Sequence, residues 1–278
     1  MKIVYNSIIL YELLRIGKIL FSKKRSEKMN FETYGGKDNK AIILIHGAFV
    51  SWKIWSEYIE AFRQDYFVIV PILDGHDVEN KSIFTTIQKS ASDIADYVCK
   101  TYGKNVLAVI GISLGGVIAT EILVQKKLNV EKAIIDGAYL TTMSPWLCKI
   151  FAKIMVKLSH GIKSRNKTFK YIINQKFSPK TIEEIYRICP NMSDETIENI
   201  AFSNYSYTIP DSIANGITDI AYWYGEKEKR LLSKSAKQLS KLVLSSQIEE
   251  FEGLGHGGLV SKHSDIYMKK IHIFFSNT

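Results

Sequence analysis

The chain has 278 residues, 46% of them hydrophobic, and a formal net charge of +9. That length buries one large core or two modest ones, and an α/β unit carrying an insertion fits it. Three cysteines, Cys99, Cys148 and Cys189, with no CxxC spacing argue against a disulfide framework or a zinc site and suit a reducing, cytoplasmic setting.

In chain order, Ile9, Leu13, Ile16 and Leu20 share one helical face with Glu12, Arg15 and Lys18 opposite, and Lys23-Lys24-Arg25 follow. This predicts an N-terminal amphipathic helix and linker over residues 1–29. Its longest charge-free run, Ile3 to Tyr11, is far shorter than the roughly 20 residues that span a bilayer. The expectation is a helix docked on the core or on a second subunit; the alternative is peripheral contact with an anionic membrane through residues 1–25.

Ala41–Ile45, Tyr66–Leu73, Val106–Ile110, Ala133–Ile135 and Ile217–Tyr224 are apolar runs, and Gln247–Phe251 is a weaker sixth. Such runs predict parallel strands buried on both faces. Helical patterns lie between several of them, at Ser51–Phe62, Thr86–Tyr102 and Gly115–Lys126. The alternation predicts an α/β fold: a mostly parallel sheet with helices on both faces, formed by residues 30–138 and 216–278.

Residues 139–215 break the rhythm. They show helical periodicity, as in Trp146, Ile150, Ile154 and Leu158, and Pro145, Pro179, Pro190 and Pro210 punctuate them. A helical cap inserted late in the chain is expected there. No Asp or Glu falls between Gly137 and Ile182, where Lys149, Lys153, Lys157, Lys163, Arg165, Lys167, Lys170, Lys176 and Lys180 supply most of the excess charge. A solvated basic face is the plain reading of these residues, and an anionic substrate is the alternative.

Three places carry chemistry. In Val106–Gly116 a strand runs into Gly111-Ile112-Ser113-Leu114-Gly115 and then a helix, the setting in which a serine is held on a tight turn with its oxygen projecting from the sheet edge. In Ile45-His46-Gly47-Ala48-Phe49 a small residue after glycine leaves its amide free. The N–H groups of Ala48 and Leu114 are therefore candidate oxyanion donors, His46 a residue that fixes the loop, and Phe49 a wall of the acyl pocket. Near the C-terminus, Gly255-His256-Gly257-Gly258 places a histidine in a flexible loop after a strand, the candidate general base for Ser113.

These landmarks, with Asp74-Gly75-His76 and Tyr224-Gly225-Glu226-Lys227-Glu228 between them, resemble the α/β-hydrolase family from about Asn30 to the C-terminus. The order serine, acid, histidine is that family's order. The resemblance implies an acid three residues after a glycine that follows a late strand. Here that residue is Glu228, where aspartate is usual in the family, with Glu226 and Asp136 as alternatives. It also implies a lid formed by the insertion, within which Met143, Trp146, Phe151, Phe202 and Tyr205 suggest an apolar acyl-binding surface. Asp74-Gly75-His76 is expected to brace the site.

No metal-ligand spacing and no G-x-G-x-x-G run appears, so neither metal nor dinucleotide is expected. The reading is a serine hydrolase cleaving a carboxylester or thioester through an acyl-serine. Its partner is a small acyl substrate and not nucleic acid. The alternatives are a catalytically silent binding protein of the same fold and a lipid-directed hydrolase at the membrane surface.

Overall fold

A computed structural model describes residues 29–276, so the expected N-terminal amphipathic helix lies outside the described residues. The order of elements is β1 (Asn30–Tyr34), β2 (Ala41–Ile45), a 3-10 turn (Trp52–Trp55), α1 (Ser56–Phe62), β3 (Phe67–Ile72), α2 (Ile87–Thr101), β4 (Asn105–Ile112), α3 (Leu114–Gln125) and β5 (Asn129–Asp136). Four helices follow: α4 (Pro145–Lys163), α5 (Lys167–Lys176), α6 (Pro179–Ile188) and α7 (Asp194–Ser206). The chain then returns through β6 (Asp219–Gly225), α8 (Lys229–Leu242), β7 (Gln247–Phe251), α9 (Gly258–Lys262) and α10 (Ser264–Ser276).

The seven strands form one sheet in the order β1-β3-β2-β4-β5-β6-β7. Only β1 runs antiparallel, with Asn30 opposite Ile72 and Tyr34 opposite Val68. All five residues of β2 are buried because helices cover both faces of the sheet. On one face α2, α3 and α8 contribute Ile94, Val117, Ile118 and Leu239 to the larger core. On the other, α1 and α10 supply Tyr58, Phe62, Tyr267 and Ile271.

Helix α3 is largely apolar and buried along most of its length, as befits a central helix. It ends at Lys126 in left-handed backbone, with φ 53°. Helix α2 begins at Thr86, whose hydroxyl accepts from Lys89 N–H, and it buries Ile87, Ile94 and Val98 on one side.

Two elements differ from the expectation. Edge strand β1 was not among the predicted strands, because five residues of alternating character give too short a signal; its place is fixed by pairing with β3. Strand β6 starts at Asp219, and Ile217 is 95% exposed, so the apolar run began two residues early.

Candidate active site

Parallel strands leave their carboxyl ends at one edge, and the loops after β2, β4, β6 and β7 converge there. Ser113 joins β4 to α3 with φ 55° and ψ −118°, a conformation that L-residues avoid. Its surroundings impose it. A Cβ at Gly111 would lie 2.1 Å from the Gly115 carbonyl oxygen, and one at Gly115 would lie 2.2 Å from that of Ile45. The turn is further held by the Ser113 N–H, which donates to the Asp136 carbonyl at 2.7 Å.

The loop after β2 is held by two histidines. His46 is fully buried; its Nδ1–H donates to the Gly47 carbonyl at 2.8 Å and its Nε2 accepts from Leu73 N–H at 3.2 Å. His76 donates from Nδ1 to the Asp74 carbonyl and accepts the Phe49 N–H at Nε2, both at 3.2 Å. Burial pushes His46 down to about 4 and His76 to about 3, so both stay neutral and keep one accepting nitrogen. Phe49, at φ 64°, has its amide committed to His76. The amides of Ala48 and Leu114 are spent on no turn, loop or side-chain bond among the described residues. Both residues line the same cavity as Ser113.

The end of β6 is pressed against the loop after β7: a Cβ on Gly225 would meet the Leu254 carbonyl at 2.5 Å, and Lys227 N–H donates to that oxygen at 3.0 Å. This contact carries Glu228 beneath His256. Glu228 Oε1 stands 2.6 Å from His256 Nδ1, and His256 Nε2 stands 2.9 Å from Ser113 Oγ. A carboxylate can only accept, so Nδ1 carries the proton and Nε2 is free to take one from the serine. Desolvation works against the imidazolium, but the Glu228 hydrogen bond and charge, with the Asp136 charge behind them, outweigh it and hold the His256 pKa above its ordinary 6.5.

The three candidate acids thus have different surroundings. Glu226 accepts the Gly253 N–H at 2.8 Å and braces the loop after β7. Asp136 is buried, one of its oxygens has no hydrogen-bond partner, and burial followed by the Glu228 charge pushes its carboxyl up to about 7. Glu228 alone hydrogen-bonds the imidazole.

Among the described residues no group of three or more His, Cys, Asp and Glu is placed to hold a metal ion, and no helix is long and apolar enough to cross a membrane. Residues 40–150 match the model of the α/β hydrolase fold. The chain is an α/β-hydrolase-fold protein. A carboxylesterase from Nitrososphaera gargenis is similar in structure (TM-score 0.73, 17% identity, covering 90% of this chain and 96% of that one). So is an esterase from Exiguobacterium antarcticum (0.72, 18%, 90% and 96%). An α/β hydrolase family protein from Desulfitobacterium hafniense gives 0.71 at 18% identity, covering 88% of this α/β-hydrolase-fold chain and 99% of its own. No curated protein matches the sequence.

A cavity of about 440 Å³ opens above Ser113, and Phe49 and Tyr205 line it. Met143 and Trp146, expected in the substrate pocket, do not. Met143 sits at the entry to α4, its N–H bonded to the Tyr205 carbonyl, and Trp146 is 63% exposed. The reason lies in how α4 packs. Its inward face carries Cys148, Ala152 and Ser159, small side chains that let α7 approach closely, so the larger Trp146, Ile150 and Ile154 point outward. Phe202 lies on a separate surface depression beside Lys149 and Lys153, and Phe151 packs on Tyr205.

Sequence reading also passed over supporting residues. Tyr58 donates to the Val260 carbonyl at 2.7 Å and anchors α9 just after His256. Tyr222 does the same for Ala138 at 2.6 Å. Ser51, two residues past Phe49, joins buried Glu184 and Arg187 of α6 in one hydrogen-bonded cluster. Such contacts lie far apart in sequence and carry no local pattern.

Proposed function

We propose that the protein is a serine hydrolase that cleaves a carboxylester or thioester through an acyl-serine. The observation that carries the proposal is the continuous chain from Ser113 Oγ to His256 Nε2 and from Nδ1 to Glu228. Ser113 Oγ attacks the carbonyl carbon while its proton passes to His256 Nε2, and Glu228 stabilises the imidazolium without taking the proton. The Ala48 and Leu114 amides receive the oxyanion. Collapse breaks the bond to the leaving oxygen or sulfur, which takes the proton from His256. Water, deprotonated by the same nitrogen, then adds to the acyl-serine, and the acid departs as Ser113 regains its proton.

The test is labelling with a short-chain fluorophosphonate, with mass spectrometry to locate the adduct. The expected result is modification of Ser113 that Ser113→Ala abolishes, together with loss of ester turnover by roughly 10⁴-fold or more at an unchanged melting temperature. An unlabelled, folded protein would overturn the reading.

A further inference from the structure

Helix α4 leaves an apolar row uncovered. Trp146, Ile150, Ile154 and Leu158 follow one another at four-residue spacing and are 63%, 44%, 45% and 38% exposed. Of the four tryptophans in the chain, Trp146 alone is exposed. The row ends at the active site, because Leu158 also lines the cavity over Ser113. Beside it Lys149, Lys153 and Lys157 form a second exposed row, while Cys148, Ala152 and Ser159 are buried on the opposite side.

Charge limits what can cover this face. No acid falls between Gly137 and Ile182, so α4 itself offers these lysines no carboxylate. On the neighbouring α7, Asp194 is bonded to His160 and Lys163, and Glu198 borders the depression that holds Lys149 and Lys153. One carboxylate beside three ammonium groups leaves the face positive. A second copy would bring the same lysines against these, and residues 1–25 carry six cations against the single acid Glu12. Like charge disfavours both occupants. An apolar row with tryptophan at one end and lysines alongside matches an anionic lipid surface instead. The headgroup region takes up the indole ring and the aliphatic side chains, and its charge holds the ammonium groups.

We infer that the outer face of α4 seats the protein on an anionic membrane, with the mouth of the cavity beside Leu158 turned toward the lipid. The docking itself is independent of the catalytic reading. Its consequence, that an apolar ester reaches Ser113 from the lipid, rests on that reading.

The test is sedimentation of the full chain with vesicles of phosphatidylcholine alone and of phosphatidylcholine with about one-third phosphatidylserine. Wild type should bind the anionic vesicles at least roughly tenfold more tightly, and added salt should release it. The triple variant Lys149→Gln, Lys153→Gln, Lys157→Gln should lose roughly a hundredfold in partitioning, at about fivefold per lysine. Ile150→Ser with Ile154→Ser should lose roughly tenfold. All five side chains are exposed, so the melting temperature should hold in both variants. Anionic vesicles should shift tryptophan emission to the blue in wild type and not in Trp146→Phe. Absence of binding, equal binding to neutral vesicles, or a dimer that Ile150→Ser dissolves would overturn the proposal. So would binding that survives both α4 variants and disappears in Lys23→Gln, Lys24→Gln, Arg25→Gln. Ser113→Ala should bind as wild type does, so the two readings fail separately: an unlabelled serine sinks the hydrolase alone, and loss of vesicle binding sinks the docking alone.

Discussion

The carboxyl edge of the sheet and the helical insertion over it are specified in different ways. At the edge, backbone sets position: Ser113 can sit at φ 55° because Gly111 and Gly115, lacking a Cβ, let the turn close tightly around it, and His256 meets Glu228 because Gly225 lets two loops touch. In the insertion, side-chain packing sets position, and the face of α4 that points inward is the one with the smaller residues. Chemistry thus rests on a few steric constraints at glycines, whereas the pocket rests on contacts between helices.

Substitutions at the edge should therefore act on rate or on the whole fold, and those at the junction with the insertion much less. The largest effect after loss of the serine is expected from Glu228→Gln, which removes the carboxylate that fixes the imidazole tautomer and should lower kcat/KM by roughly 10³–10⁴-fold. Asp136→Asn, without a hydrogen bond to the imidazole, should stay within about tenfold. A reversal of these two would transfer the role of the acid to Asp136. The same pair sharpens the pH dependence. Activity needs neutral His256, so the acid limb of kcat/KM should lie above pH 6.5 in wild type. In Glu228→Gln it should move to lower pH, because the cation loses its partner.

Next in size, Gly115→Ala should destabilise the protein by roughly 3 kcal/mol or more, since the new Cβ meets the backbone oxygens of Ile45 and His46, which cannot step aside. Denaturant titration reads this directly, and a near-neutral result would mean the turn is looser than its geometry.

His46 and His76 give a pH-dependent counterpart. Their folded values, about 4 and about 3, lie below the ordinary 6.5, so below that pH the unfolded chain binds protons that the folded one refuses. The stability they contribute is complete above pH 6.5 and is lost as pH falls through about 4. The melting temperature should drop across that window, and His46→Asn should make the drop shallower. A flat profile would show that protonation of these rings costs nothing.

The smallest effect is expected where the insertion meets the core. Lys180→Gln breaks a half-exposed pair with Glu57 and should change stability by less than about 1 kcal/mol. A larger loss would mean that the insertion is held by charge more than by its apolar contacts.

Much of the edge was legible in the residues themselves. Gly111-Ile112-Ser113-Leu114-Gly115 and Gly255-His256-Gly257 are short, and glycine is required at Gly111 and Gly115, where a Cβ would collide, and favoured at Gly257, where φ is positive, so the mark is local. Buried parallel strands such as Ala41–Ile45 announce themselves by unbroken apolar runs. The choice among Glu228, Glu226 and Asp136 was open in sequence, because all three lie at strand ends and only the folding together of the β6 and β7 loops puts one of them on Nδ1. Of the residues expected in the pocket, Phe49 lines the cavity over Ser113 and Met143 and Trp146 do not, for the same kind of reason. Periodicity marks a stripe of large apolar side chains, but which stripe turns inward depends on how near the partner helix can come. What the sequence determined by itself were the strands, the strained turn and the identities of serine and histidine, because each leaves a mark in a short run of residues: an unbroken apolar stretch, or glycines flanking the functional side chain. The tertiary structure decided the acid's hydrogen bond, the lining of the cavity and the pairing of Lys180 with Glu57, because each depends on side chains brought together across tens of residues or more by packing.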